Sequence, residues 1–224
     1  MTHYVTEPER FPFRNSGTKM RNYLLAAMLC AVAVPAFAAD FTGPRIEARL
    51  GFDRFGGSVT SSTATARDHR DGVAYGVGAG YDIAVPGYSS LIVGVEANVD
   101  LFSTSVCSPV NGNDQACLKA RRDIDLAVRI GGKIAASTLL YVKAGYANSR
   151  VRETYSDFTT PANNFSAGAN GDGYRLGAGL EYAVTKQVYA KTEYRYTGYG
   201  HENVGAFQVG YHRNQIIAAV GVRF

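Results

Sequence analysis

The last ten residues, Gln215 to Phe224, constrain the chain most. Ile216, Ala218, Val220, Val222 and Phe224 are apolar, and Gln215, Ile217, Ala219, Gly221 and Arg223 stand between them. Period-two alternation is the pattern of a strand with one apolar and one wetter face. In water, a terminal apolar strand presents an unpaired edge and frays. The pattern is accommodated if this strand pairs with the first strand of a sheet closed into a barrel, with its apolar face turned to lipid.

Seven earlier stretches alternate in the same way. Arg45 to Phe55 sets Ile46, Ala48, Leu50 and Phe52 against Glu47, Arg49, Gly51 and Asp53. Gly72 to Ile83 sets Tyr75, Val77, Ala79 and Tyr81 against Gly76, Gly78, Gly80 and Asp82. Leu91 to Phe102 has the cleanest alternation, with Val93, Val95, Ala97, Val99 and Leu101 against Gly94, Glu96, Asn98 and Asp100. Arg121 to Gly131, Leu139 to Arg150, Gly173 to Ala183 and Val188 to Thr197 continue the series. The eight runs are joined by connections that alternate long and short. Polar stretches follow the odd-numbered runs, the longest over Val151 to Asp172, and tight turns such as Pro86-Gly87 follow the even ones. An eight-stranded antiparallel up-and-down transmembrane barrel has that asymmetry, with both termini periplasmic and four longer extracellular loops. A β-sandwich also predicts alternating strands, and periodicity by itself leaves it open.

The start of the chain favours the barrel. Arg21, the apolar run Tyr23 to Val34, Pro35 and the small-x-small site Ala36-Phe37-Ala38 read as an export signal over residues 20–38. Cleavage is expected after Ala38. Residues 1–19 read as an upstream extension without structure, and Cys30 leaves with the signal. The net charge is +4 over the whole chain, too small to argue for nucleic acid. At 46% hydrophobic residues the chain is no helical membrane bundle.

The residues opposite the apolar set carry charge. Nine acids fall there: Glu47, Asp53, Asp82, Glu96, Asp100, Asp123, Asp125, Glu181 and Glu193. Seven bases join them: Arg49, Arg129, Lys143, Arg175, Lys191, Arg195 and Arg223. Eight strands enclose an interior just wide enough for side chains to fill, so this near balance predicts a paired network that plugs the lumen. The inward glycines either make room for long side chains from facing strands or leave a water path.

Other candidates are sparse. Cys107 and Cys117 flank Asn111-Gly112-Asn113 in one polar stretch, and in an oxidising compartment they are expected to form a local disulfide. His69, His201 and His212, with Asp68 and Glu202 nearby in sequence, are candidate metal or haem ligands without any fixed ligand spacing, and exposed histidines without a ligand outweigh that reading. No catalytic set is evident and no cofactor is expected.

Four stretches carry a family resemblance: Leu140-Tyr141-Val142-Lys143-Ala144-Gly145-Tyr146, Gly177-Ala178-Gly179-Leu180-Glu181-Tyr182, Lys191-Thr192-Glu193-Tyr194-Arg195-Tyr196 and Val220-Gly221-Val222-Arg223-Phe224. Residues 39–224 resemble the small eight-stranded outer-membrane β-barrels of Gram-negative bacteria, which include porin-family surface antigens, opacity proteins and OmpA-type transmembrane domains. The resemblance implies an integral outer-membrane protein with a structural or surface-interaction role. A narrow charge-lined pore and, behind it, an enzyme acting on lipid A are the alternatives. It also implies outer-membrane lipid, lipopolysaccharide and the barrel-assembly machinery as partners, with Phe224 as the terminus that machinery reads, and loops available to an extracellular ligand. With the last strand running to Phe224, no periplasmic peptidoglycan-binding domain is expected after it.

Overall fold

β-Branched and aromatic residues on one flank and small or charged ones on the other suit a pleated sheet whose two faces meet different surroundings. A computed structural model describes residues 39–60, 65–103, 105–110, 114–157, 159, 164–204 and 207–224. They form nine strands: β1 (Gly43–Thr60), β2 (Thr65–Val85), β3 (Tyr88–Phe102), β4 (Ser105–Val110), β5 (Asp114–Ala135), β6 (Thr138–Ser156), β7 (Phe165–Ala183), β8 (Val188–Val204) and β9 (Phe207–Arg223). The proposed extension 1–19 and signal 20–38 lie outside the described residues.

All pairings are antiparallel, and β9 returns to β1 along a register running from Arg45–Arg223 to Thr60–Gln208, which closes the sheet. β3 and β4 lie in series on the same flank of β5. β3 pairs with it from Leu91 to Leu101 and β4 from Ser105 to Val110. They are two parts of one stave, so the barrel has eight staves.

Ala39, the first described residue, and Phe224 share one end of the barrel with the tight turns. Phe224 N donates to Pro44 O at 2.9 Å, and Ala39 N donates to Ala136 O at 3.0 Å. The β2–β3 turn is Pro86-Gly87, where Pro fixes φ at the second turn position and Gly87 takes φ of 83° at the third.

At the other end the strands run further than the alternation suggested. β1 and β2 stay paired to Thr60–Thr65, β6 and β7 to Tyr155–Phe165, and β8 and β9 to Val204–Phe207. Residues assigned to loops therefore lie in strands. His69 is in β2, His201 in β8, and Cys107 and Cys117 are register partners in the β4–β5 hairpin. The Ser-, Thr-, Asn- and Gly-rich composition of these segments imitates loops, but ladder hydrogen bonds satisfy the backbone without an apolar face.

Cys117 is disulfide-bonded, and Cys107 stands directly across from it. The peptide holding both residues is expected to weigh two hydrogens less in non-reduced protein than after reduction. Two alkylatable thiols in intact, surface-displayed protein would contradict the pairing.

The faces are inverted relative to a soluble protein. Leu126 and Val77 are 63% and 62% exposed, and Ile46, Leu50, Val128, Val142 and Val220 share that outer surface. Asp82, Arg175 and Glu181, on the opposite face, are fully buried. A sandwich would bury the apolar set. Here the charged set is buried and the apolar set lines the outside, an arrangement that needs apolar surroundings.

Candidate functional site

The barrel interior is built from charge. Alternation turns every second residue inward, and among the described residues the buried set holds nine acids and nine bases. The acids are Glu47, Asp53, Asp82, Glu96, Asp100, Asp123, Asp125, Glu181 and Glu193. The bases are Arg49, Arg129, Lys143, Arg175, Lys191, Arg195 and Arg223, together with Arg45 and Arg213. Those last two were not in the inward set read from sequence. Arg45 opens the first alternating run, and Arg213 lies two residues before Gln215, where the last run begins. Both obey the same parity as their strand neighbours.

The network has three tiers. At the turn end, Asp82 accepts from Arg45 Nε at 2.8 Å, Arg129 Nε at 2.7 Å and Nη2 at 2.6 Å, and Arg223 Nη1 at 3.0 Å. Glu181 accepts from Arg129 Nη1 at 2.9 Å and Arg223 Nη2 at 2.6 Å. Below this tier Phe41 packs with Ile92, Leu139 and Ala183 under the lumen, and its carbonyl accepts from Arg223.

In the middle tier, Lys143 Nζ lies 2.5 Å from Glu96 and 2.7 Å from Glu193. Lys191 Nζ donates to Glu47 at 2.6 Å, and Arg45 Nη2 reaches Glu96 at 2.7 Å. Two inward tyrosines join the tier. Tyr141 donates to Glu193 at 2.6 Å and Tyr189 to Glu47 at 2.9 Å. Arg49 differs. Its guanidinium is buried among Glu47, Asp100 and Glu193 at 3.7, 3.7 and 3.8 Å, a purely electrostatic contact.

At the far tier, Arg195 donates to Asp100 at 2.9 Å, and Arg175 donates to Asp123 at 2.6 Å and also to Asp125. Arg213 lies 3.2 Å from both Asp53 and Asp123, with its guanidinium 4.0 Å from the Phe102 ring centroid and 5.3 Å from that of Phe55. Weak hydration of the guanidinium suits it to this aromatic setting.

Inward glycines face the long side chains. A Cβ on Gly80 would stand 2.8 Å from the Arg45 guanidinium carbon, and one on Gly177 would stand 3.0 Å from Lys143. Of the two roles considered for such glycines, these positions have a basic side chain filling the space.

The histidine candidates are set apart from this network. Register places His69 of β2 and His212 of β9 on either side of Gly56 in β1. The His212 ring stacks on Tyr196 at 6.3 Å between centroids. The His201 side chain lies outside the described residues, as do the side chains of Asp68 and Glu202. Among the described residues, no group of three His, Cys, Asp or Glu side chains is arranged to hold a metal ion.

A closed antiparallel barrel with lipid-compatible residues outside and an ion-paired polar interior defines an integral outer-membrane β-barrel. The family model for the outer membrane protein beta-barrel domain matches residues 24–224, and the chain belongs to that family. Over 90 residues it is 34% identical to the 22 kDa outer membrane protein of Rhizobium leguminosarum bv. viciae. That match covers 38% of this chain and 39% of the relative, so the chain spans about two-fifths of the relative's length. Among solved structures, Neisserial surface protein A is similar with a TM-score of 0.46 and 20% identity, over 82% of this chain and 98% of that one. The outer membrane protein OprG of Pseudomonas aeruginosa is similar with a TM-score of 0.44 and 14% identity, over 84% and 99%.

Proposed function

We propose that this protein is a structural and surface-interaction barrel that holds its lumen shut and presents four connections outward. The supporting observation is the balance, among the described residues, of nine buried acids and nine buried bases, most of them paired at hydrogen-bonding distance through the length of the lumen. A wide aqueous pore would not need such pairing, and one sign could dominate its wall. The tight turns, Ala39 and Phe224 share one end, and this supports placing that end in the periplasm, as bacterial barrels do.

Planar-bilayer recording of refolded protein tests the closed lumen. The unmodified barrel is expected to give no steady openings of general-porin size. Such openings would overturn the reading in favour of a charge-lined pore.

A further inference from the structure

The outer surface changes character where β5 and β6 leave the apolar band. Ile124, Leu126 and Val128 are exposed along β5. Two residues beyond Ile124 on the same face is Arg122, and around it gather Lys119, Arg121, Arg150 and Arg152. The register sets Arg122 directly across from Arg150 and Lys119 directly across from Arg152. Like charges in that position repel. None of the five has an ion-pair partner among the described residues, whereas Arg54 is held by Asp71 at 2.7 Å.

Two irregularities shape the cluster. Ala120 pairs with Val151 and Arg122 with Arg150, so Arg121 is an extra residue in a β-bulge. Strict alternation from Asp123 would turn Arg121 inward. The bulge leaves Ala120 packed beside Phe102 and turns Arg121 out, as bulges do when they re-aim a side chain. Beside the bulge the neighbouring stave breaks between β3 and β4, and Ser103 N turns to Val73 O of β2 at 3.0 Å. The result is an open cleft of about 430 Å³, with Tyr75 and Leu101 on one wall and Arg121, Arg122, Arg150 and Arg152 on the other.

We propose that this cleft binds the phosphate groups of a phosphorylated glycolipid in the surrounding leaflet. Guanidinium groups match phosphate oxygens in paired hydrogen bonds. The lipid source is favoured over a free anion by placement, since the cations begin about 7 Å, two residues of strand, beyond Ile124. A headgroup at the arginines would leave its acyl chains along Ile124 and Leu126. The inference rests on the orientation given under Proposed function, which turns this end outward.

The test uses detergent-purified, refolded full-length barrel and native mass spectrometry. The probes are bis-phosphorylated lipid A, its dephosphorylated form and free pyrophosphate. Lipid A is expected to bind on the order of tenfold more tightly than the dephosphorylated form, and the R122Q/R150Q variant to lose a similar factor. Heat-dependent gel migration of the variant should match that of the unmodified barrel, because neither arginine touches the lumen. A second variant, R121Q/R152Q, carries the test if the first does not fold. Equal binding of the two glycolipids, or equal binding by the variants, overturns the site. Pyrophosphate competing as well as lipid A overturns the lipid as its source. Orientation is read separately, by impermeant maleimide labelling of S105C on whole cells. Labelling only after permeabilisation overturns the orientation and, with it, this ligand.

Discussion

Replacing Asp82 with alanine is expected to destabilise the barrel by about 3–5 kcal/mol, the usual cost of stranding one side of a buried ion cluster. Arg45, Arg129 and Arg223 all converge on this one carboxylate. Without it, three buried guanidinium groups face each other, and among the described carboxylates Glu47, Glu96 and Glu181 remain to pair with them. Asp82→Asn keeps an acceptor and removes the charge, so its loss should be intermediate. Urea unfolding in detergent, or the temperature at which the compact gel form disappears, measures both. An alanine variant as stable as the unmodified barrel would show that the turn-end cluster contributes little.

A second large effect is expected at Gly80, which shares the inward face of β2 with Asp82. A valine there would bring its Cβ to 2.8 Å from both the Arg45 guanidinium carbon and the Val95 carbonyl oxygen. The carbonyl belongs to a paired strand, and Arg45 is fixed by three carboxylates, so neither neighbour yields freely. Overpacking of this kind costs about 1–3 kcal/mol, and displacing Arg45 adds to it. Gly132→Ala is the matched control, because a Cβ there meets nothing within 4 Å. Similar unfolding midpoints for G80V and G132A would refute the packing argument.

The alternation of residues such as Val93 to Asp100, read together with the alternating long and short connections, recovered the barrel, its eight staves and the inward direction of most charges. That legibility has a physical cause. A one-residue shift would turn every charge toward lipid, so selection for the membrane keeps the pattern clean. The pattern loses its grip beyond the lipid, where both faces are wet. There, the pairing of Ser58 with Arg67 and of Glu153 with Ala167 leaves no periodic trace, and these segments read as loops. Arg213 escapes the pattern because it stands just before its run, and Arg45 because it stands at the very edge of its run. The outward turn of Arg121 depends on a bulge, which shows only when the register with Val151 and Arg150 is known. The three-way sharing of Asp82 joins β1, β5 and β9 to β2, a relation that strand order and distances reveal and spacing along the chain does not.

The interior contacts are also a timetable for folding. Lys191 meets Glu47 across 144 positions, Arg223 meets Asp82 across 141, and Gln215 meets Asp53 across 162. Many interior partners are likewise far apart in the chain, so a growing sheet of β1 to β7 would carry carboxylates, such as Asp53 and Asp100, some of whose counter-ions have yet to arrive. Such a sheet cannot enter hydrocarbon strand by strand without exposing bare charge to it. Insertion and closure are therefore expected to be coupled, with β8 and β9 supplying Lys191, Arg195, Arg213 and Arg223. Long-range closure of this kind is slow to reach.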